Sequence, residues 1–353
     1  MRLLLKILLV FGMTIAIMIP LMLIRGTISE RQSYRAQAID NIARSSAGAQ
    51  ALSGPVLVVP YVETVEVEEK NDKGEVIRKA KRDGASGRWT FFPDRLDVRG
   101  KLTPNTRKLG LHEVRVYELQ ALAQAGFNAH IPADENPELP RKIGQPWLSY
   151  GIADVRGLAG TPALSVDGRE MALEEGFGSR EGGGVHVRLA PPVAGTTLRL
   201  DTRLDIKLGG TESLALVPLA RSNVFKLDST WPHPRFGGDF LPRQPQVSGK
   251  GFSAQWEVSS LASNAQAQFL SGKTLPSMAE AMLMSRYGSD NAAAFRSDGI
   301  DAVGIALVDP VNIYSQADRA SKYGLLFVLL TFVGFFMFEL IKQLPIHPVQ
   351  YGL

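Results

Sequence analysis

Two long apolar runs, one near each end of the chain, constrain this sequence more than any other feature. From Ile7 to Ile24 it reads ILLVFGMTIAIMIPLMLI, eighteen residues without a charge. As a helix this run spans about 27 Å at roughly 1.5 Å per residue, close to the roughly 30 Å of a bilayer's hydrocarbon core. Pro20 is compatible with a spanning helix, where freed backbone groups are re-satisfied locally. A cleaved signal peptide is the competing reading, because Arg2 and Lys6 precede the run as an n-region would. The run exceeds the usual length of roughly 7–15 residues, however, and RGTISERQ follows it without a small-residue cleavage site. An uncleaved signal anchor is therefore expected. The second run, Tyr323–Leu340, is apolar except for Thr331 and Glu339. Leu, Phe and Val on every face argue for a second span rather than a buried soluble helix. Glu339, one turn before Lys342, is the candidate intramembrane polar residue, read first as an interface pair.

One crossing at each end puts everything from Arg25 to Lys322 on one side of the membrane. Which side is not decided by charge. Arg25, Arg31, Arg35, Arg44, Arg319 and Lys322 flank the domain side, but long domains translocate largely regardless of such a bias. The 353 residues carry 39 basic and 35 acidic side chains, interleaved along the chain. That pattern offers no concentrated footprint for nucleic acid. Cysteine is absent, which removes disulfides, thiolate nucleophiles and Cys-ligated metal centres.

Between the spans the pattern is β. After a polar helical stalk reaching about Ile42, strands are predicted at Leu52–Tyr61 with an extension through Val67, Arg88–Pro93, Arg95–Leu102, His112–Leu119 and Ala121–Ile131. Further strands are predicted at Leu148–Arg156, Val185–Leu189, Thr197–Leu208, Ser213–Pro218, Asn223–Leu227, Phe252–Val258 and Ala302–Val308. Gly, Pro, Asn and Asp punctuate them every eight to twelve residues or so, the mark of a sandwich or barrel. Asn71, Asp72 and Gly74 mark the turn of an exposed charged hairpin. Gly176–Gly184 reads as a loop, without the strand–helix context of a phosphate cradle. Pro276, Met278, Met282, Leu283 and Met284 predict a small helix ending at Gly288.

The expected fold is thus a mainly β, sandwich-like extramembrane domain flanked by transmembrane α-helices, with one or two small helices within it. The parts are an anchor over 1–24, a stalk over 25–44, a β-rich domain of one or two subdomains over 45–318, a second span over 319–344 and a tail over 345–353.

Chemistry has little local support. His112, His130, His186, His233 and His347 form no paired metal-ligand spacing, and no nucleophile elbow, P-loop or dinucleotide fingerprint occurs. No catalytic, cofactor-binding or metal-binding residue is expected. The most unusual stretch is STWPHPRFGGDFLP, Ser229–Pro242. Proline fixes φ and glycine permits positive φ, so it reads as a stiff bent loop rather than a strand. Ser229, Trp231, His233, Phe236, Asp239 and Phe240 are its candidate interaction residues. Ser229, His233 and Asp239 contain the residue types of a hydrolytic triad, but triads are assembled by fold geometry, and crowding on one loop gives that no support.

These segments resemble the CreD family of Gram-negative inner-membrane proteins. The resemblance runs through IPLMLIRGTISERQSYR (Ile19–Arg35), IARSSAGAQALSGPVLVVPY (Ile42–Tyr61), FFPDRLDVRGKL (Phe91–Leu102), VRVYELQALAQAGF (Val114–Phe127), STWPHPRFGGDFLP and GFSAQWEVSSLASN (Gly251–Asn264). It continues through the DPVNIYSQADRASKYG approach to the second run and IHPVQYGL. The resemblance implies a cytoplasmic N-terminus, a periplasmic domain and a role in envelope integrity, and with no catalytic motif in the chain that role is expected to be non-enzymatic. It also implies an association with the CreBC two-component system, colicin tolerance and β-lactam response. The expected partners are the lipid bilayer and periplasmic or inner-membrane proteins, and no nucleic acid or cofactor is expected. A transport or sensor component binding a small ligand or cell-wall fragment is the alternative, and a membrane-bound hydrolase a third class. Family members continue past His347–Tyr351 into further hydrophobic helices, so a shortened C-terminus is expected here.

Overall fold

The computed structural model describes residues 2–70, 76–178, 182–273, 275, 299–307 and 313–342. The chain divides into two compact units. One comprises Met1–Ala38 with Asp309–Leu353, the other Ile39–Val308. The predicted turn at Asn71–Gly74 and the Met-rich helix after Pro276 lie outside the described residues.

The first unit holds most of α1 (Arg2–Ser45) and α3 (Ile313–Lys342). Helix α1 continues through Pro20, and its stretch Phe11–Ser45 is the one helix among the described residues that is long and apolar enough to cross a membrane. Two flanking spans were expected, so on these criteria one stands. Helix α3 contains the second apolar run and exposes Leu326, Phe327, Leu330, Val333 and Phe338. The run's polar exception, Thr331, donates to the Phe327 carbonyl at 2.8 Å, a bond to the preceding turn that satisfies its hydroxyl within the helix. Gly324 faces Leu21 of α1, whose Cδ2 lies 3.9 Å from where a Cβ would sit. Glu339 falls within α3, but its side chain lies outside the described residues.

The second unit is a sandwich of two mixed sheets. The first sheet follows the order β14 (Pro234–Gly238), β17 (Val303–Leu307), β12 (Ser213–Leu216), β1 (Gln50–Lys70), β6 (Trp147–Ile152), β10 (Gly184–Arg188), β9 (Glu174–Glu175). Strands β2 (Val76–Phe91) and β5 (Lys142–Ile143) pair with the outer part of β1. The second runs β15 (Arg243–Ser248), β16 (Gly251–Ser259), β13 (Ser222–Ser229), β3 (Arg95–Leu109), β4 (His112–His130), β11 (Thr197–Thr211), β7 (Ala163–Val166), β8 (Arg169–Met171). Parallel pairing of β1 with β12 and of β13 with β3 makes both sheets mixed.

Alternation explains which faces meet. Leu200, Leu204, Ile206 and Leu208 of β11 and Tyr117, Leu119, Ala121, Ala123 and Phe127 of β4 point inward at period two, while Asp201, Arg203, Asp205 and Lys207 point out. Trp256 and Phe225 are the largest fully buried side chains. A smaller apolar cluster of Val56, Val58, Phe177, Phe269 and Ile300 includes residues of the short helix α2 (Ala265–Leu270).

Several expectations change. The two predicted strands over His112–Ile131 are one, because Gln120 continues the outward row instead of breaking the strand. The strand predicted to Arg156 stops at Ile152, where Asp154 caps a turn of 3₁₀ helix over Val155–Gly157. Within the predicted Gly176–Gly184 loop, Phe177 is buried and Gly184 opens β10. The charged hairpin is formed by β1 and β2, which pair antiparallel from Leu57↔Phe91 outward to Lys70↔Val76.

Candidate functional site: the end of the sandwich where the chain enters and leaves

The Ser229–Pro242 stretch corrects its sequence reading. Pro234–Gly238 is a strand, not a loop, paired antiparallel with β17 from Pro234↔Leu307 to Gly238↔Val303. Proline is tolerated because it opens a strand at the sheet edge, where its missing N–H costs no ladder bond. Gly238 lies at φ +83, and a Cβ there would sit 2.2 Å from the Ala302 carbonyl oxygen. Immediately after it, Asp239 N–H donates to Ala302 O at 2.8 Å and Asp239 Oδ2 accepts from Ala302 N–H at 2.9 Å.

The aromatic residues turn inward. Phe236 meets Phe252 and Trp256 edge-on, with centroids 5.6 and 5.8 Å apart, and Trp231, Phe236 and Phe240 all pack against the main core. Trp231 is held from three directions. Its backbone N–H donates to Ser229 Oγ at 3.1 Å and its indole N–H to His233 O at 2.9 Å, while the Arg115 guanidinium lies 5.0 Å from its ring centroid. That cation–π contact, on an arginine largely withdrawn from solvent, ties the stretch to β4. The triad geometry is not formed. Ser229 Oγ holds Trp231, Asp239 holds Ala302, and the exposed His233 ring stands edge-on to Trp231 at 6.2 Å.

A second cluster at this end has no counterpart in the sequence reading. It forms where α1 delivers the chain to β1. Gln50 Nε2 donates to Asp154 O and to Gly209 O, each at 2.9 Å, across separations of 104 and 159 residues. Thr211 Oγ1 donates to Ala47 O at 2.6 Å. Asp154 Oδ2 accepts from Gly48 N–H at 2.9 Å, and its carboxylate grips the Arg156 guanidinium at 2.6 and 2.9 Å. Arg156 Nη1 donates to Arg44 O at 2.9 Å, placing a cation on the last carbonyls of α1, where the helix dipole favours it. Burial pushes the Asp154 carboxyl up, but the Arg156 side chain and the N–H groups of Gly48 and Arg156 outweigh it and hold the pKa below the ordinary value. Nearby, burial raises the Tyr117 phenol pKa, and its hydroxyl donates to Ser213 O. Only spacing in three dimensions unites these residues, so no local motif marks them.

Register shows that these features share one end. Gln50 stands beside Leu214, Leu307 N–H donates to Glu212 O, Pro234 pairs Leu307, and Glu212 N–H donates to Arg115 O. The chain therefore enters the sandwich, leaves it and forms the Trp231–Phe236 plug at the same end.

Elsewhere the chemistry is sparse. Among the described residues no three His, Cys, Asp or Glu gather as metal ligands. His186 is buried, with Nδ1 3.1 Å from Gly176 O and Nε2 3.4 Å from Glu174 Oε2, outside hydrogen-bond geometry. Small alanines on β4 leave an interior cavity of about 30 Å³ lined by Leu52, Leu96, Val98, Ala121, Ala123 and Phe225, a water-sized, mostly apolar space.

The family model for inner membrane protein CreD matches residues 2–353. The inner membrane protein CreD of Escherichia coli (strain K12) is 33% identical over 345 residues, covering 97% of this chain and 70% of that protein. Among solved structures, an M1 zinc metallopeptidase mutant from Deinococcus radiodurans bound to a Tyr-Ser-Ala substrate superposes with a TM-score of 0.26 at 7% identity, over 61% of this chain and 42% of that one. The M1 zinc metallopeptidase from the same organism gives 0.24 at 7%, over 61% and 41%. The chain thus spans less than half the length of those structures, and likenesses this loose carry no argument.

Proposed function

This chain belongs to the CreD family of inner membrane proteins, and on that footing we propose that it is a non-catalytic envelope module, a periplasmic sandwich tethered to the bilayer, acting through contacts in support of envelope integrity. The carrying observation is what the Ser229–Pro242 stretch does with its functional groups. Its serine, aspartate and indole are spent on local bonds, and its aromatic rings plug the end of the sandwich where the chain enters and leaves. Such a site holds position rather than turning over a substrate.

In this reading α3 is the second crossing. Its run from Tyr323 to Phe338 carries no charge, Leu, Phe and Val are exposed on it, and Thr331 is satisfied internally.

The test is topological and chemical together. A periplasm-only reporter inserted at Gly183 is active and a cytoplasm-only reporter fused after Leu353 is active; a silent Gly183 fusion contradicts the placement. His233→Ala leaves envelope resistance to detergent and β-lactam unchanged, and a loss of resistance with normal protein level would favour a hydrolase.

A further inference from the structure

The plug spends its functional groups on local bonds, and the residues that follow it do not. Strand β15 begins at Arg243, directly after Pro242, and is an edge strand of the second sheet. Arg243 pairs with Gln255 and Gln246 with Ser253, so Gln244 and Pro245 together stand opposite Ala254 alone. The result is a β-bulge, which re-aims side chains that strict alternation would send to opposite faces. Gln244 lies within it at φ +47, a left-handed conformation that few residues other than glycine adopt. Bulge and proline also blunt this edge against a further strand, so contacts here fall to side chains rather than backbone.

Arg243, Gln244 and Gln246 thereby line one open groove of about 490 Å³, together with Lys226, Ser253 and Gln255 of the neighbouring strands. That volume lies within the range of small-ligand sites, roughly 300–1,000 Å³. Lys226, Gln255 and Arg243 stand side by side across three strands, the two cations roughly 10 Å apart at two strand spacings. Glu257, also in the lining, organises them. One of its carboxylate oxygens lies 3.4 Å from Arg243 Nη1, and the other accepts from Gln255 Nε2 at 3.0 Å. Among the described residues the side chains of Lys226, Gln244, Gln246 and Ser253 have no hydrogen-bond or ionic partner.

The lining has no apolar or aromatic member, and that selects the occupant. A nucleobase would find no ring to stack on, and an acyl chain no surface to bury against. Amides and hydroxyls donate and accept together, the pattern that suits a sugar's hydroxyls. Charge sets the rest. Lys226 and Arg243 against Glu257 leave the lining one positive charge in excess. Beside it, Asp97 holds Arg99 at 3.0 Å and exposed Asp228 stands next to exposed Lys101 in the ladder, so the surround is balanced.

The geometry points to a carbohydrate site, which takes a disaccharide unit carrying a single negative charge, with Lys226 on the acid group and Gln244, Gln246, Ser253 and Gln255 on hydroxyls. Such a site goes beyond the tethered-module role and does not depend on it.

The test uses the full-length chain in a detergent without a sugar headgroup, since a glycosidic detergent would compete, and ligand-observed saturation-transfer NMR. Cellobiouronic acid, a disaccharide with one carboxylate, receives saturation and binds roughly fivefold more tightly than neutral cellobiose, the upper end for an exposed charge pair. Lys226→Gln removes that preference and Lys226→Arg keeps it. Gln246→Ala weakens both sugars by roughly threefold. Lys207→Gln, on the same outer face but on β11, leaves both affinities unchanged. All three positions are exposed, so the variants keep the wild-type unfolding temperature. No saturation transfer to the acidic disaccharide, equal affinities for the two sugars, or an equal loss in Lys207→Gln overturns the proposal. Displacement of the disaccharide by acetate at equal concentration reduces the groove to a simple anion site and overturns it too.

Discussion

Removing the Asp154 carboxylate gives the most informative perturbation, because this side chain fastens the start of the sandwich to its body. In Asp154→Ala the buried Gly48 N–H loses a charged acceptor at 2.9 Å. A buried donor left without its partner costs about 1–3 kcal/mol. The guanidinium of Arg156 is exposed, and its share is set aside as screened by solvent. A loss of about 2 kcal/mol is therefore expected, which for a unit of this size lowers Tm by roughly 4–8 °C. Asp154→Asn keeps an oxygen for Gly48 and costs about half as much. The sign with pH follows from the depressed pKa of Asp154. The contribution is fully present above the unfolded carboxyl value of about 3.9 and is lost as pH falls through the lower folded value. Thermal unfolding of detergent-solubilised full-length chain, followed by near-UV circular dichroism from neutral pH downward, measures both effects. Limited proteolysis between Ser46 and Gln50 reports the same loosening locally. A neutral-pH Tm for Asp154→Ala within 1 °C of wild type, or a deficit that grows rather than fades on acidification, would refute the reasoning.

Two further substitutions test the plug. Gly238→Ala forces a Cβ against Ala302 O at a backbone angle that favours glycine, and a loss of at least about 2 kcal/mol is expected in the same unfolding assay; a neutral result would mean that β14 is not held as described. Phe236→Ala removes a half-buried ring from Phe252 and Trp256 and should cost about 2–3 kcal/mol, below the range for fully buried phenylalanine, with Phe236→Leu recovering part of it.

How much of the plug was legible is instructive. Proline and glycine spacing in STWPHPRFGGDFLP marked a stiff, special stretch with inward or outward aromatics, and the rings do sit against the core. What local pattern could not supply was the partner strand. Val303–Leu307 lies some seventy residues further on, and pairing with it converts an apparent loop into an edge strand. The Gln50–Asp154–Arg156 cluster was invisible for the same reason. Its members are ordinary polar residues whose importance lies in bonds across more than a hundred positions.

The amino-acid sequence by itself determined what short-range physics controls. A charge-free run such as Ile7–Ile24 must be a helix in an apolar medium, because its backbone has no other way to satisfy itself there, and period-two alternation over Thr197–Leu208 can bury one face only as a strand. Those two facts settle an apolar helix and a β-rich body. The tertiary structure alone decided which strands are neighbours and that two sheets are mixed. It also decided that the chain's arrival in the sandwich, its departure and the aromatic plug all meet at one end. Strand order is set by the summed packing of distant faces and by long-range hydrogen bonds, and neither leaves a mark within a window of ten residues.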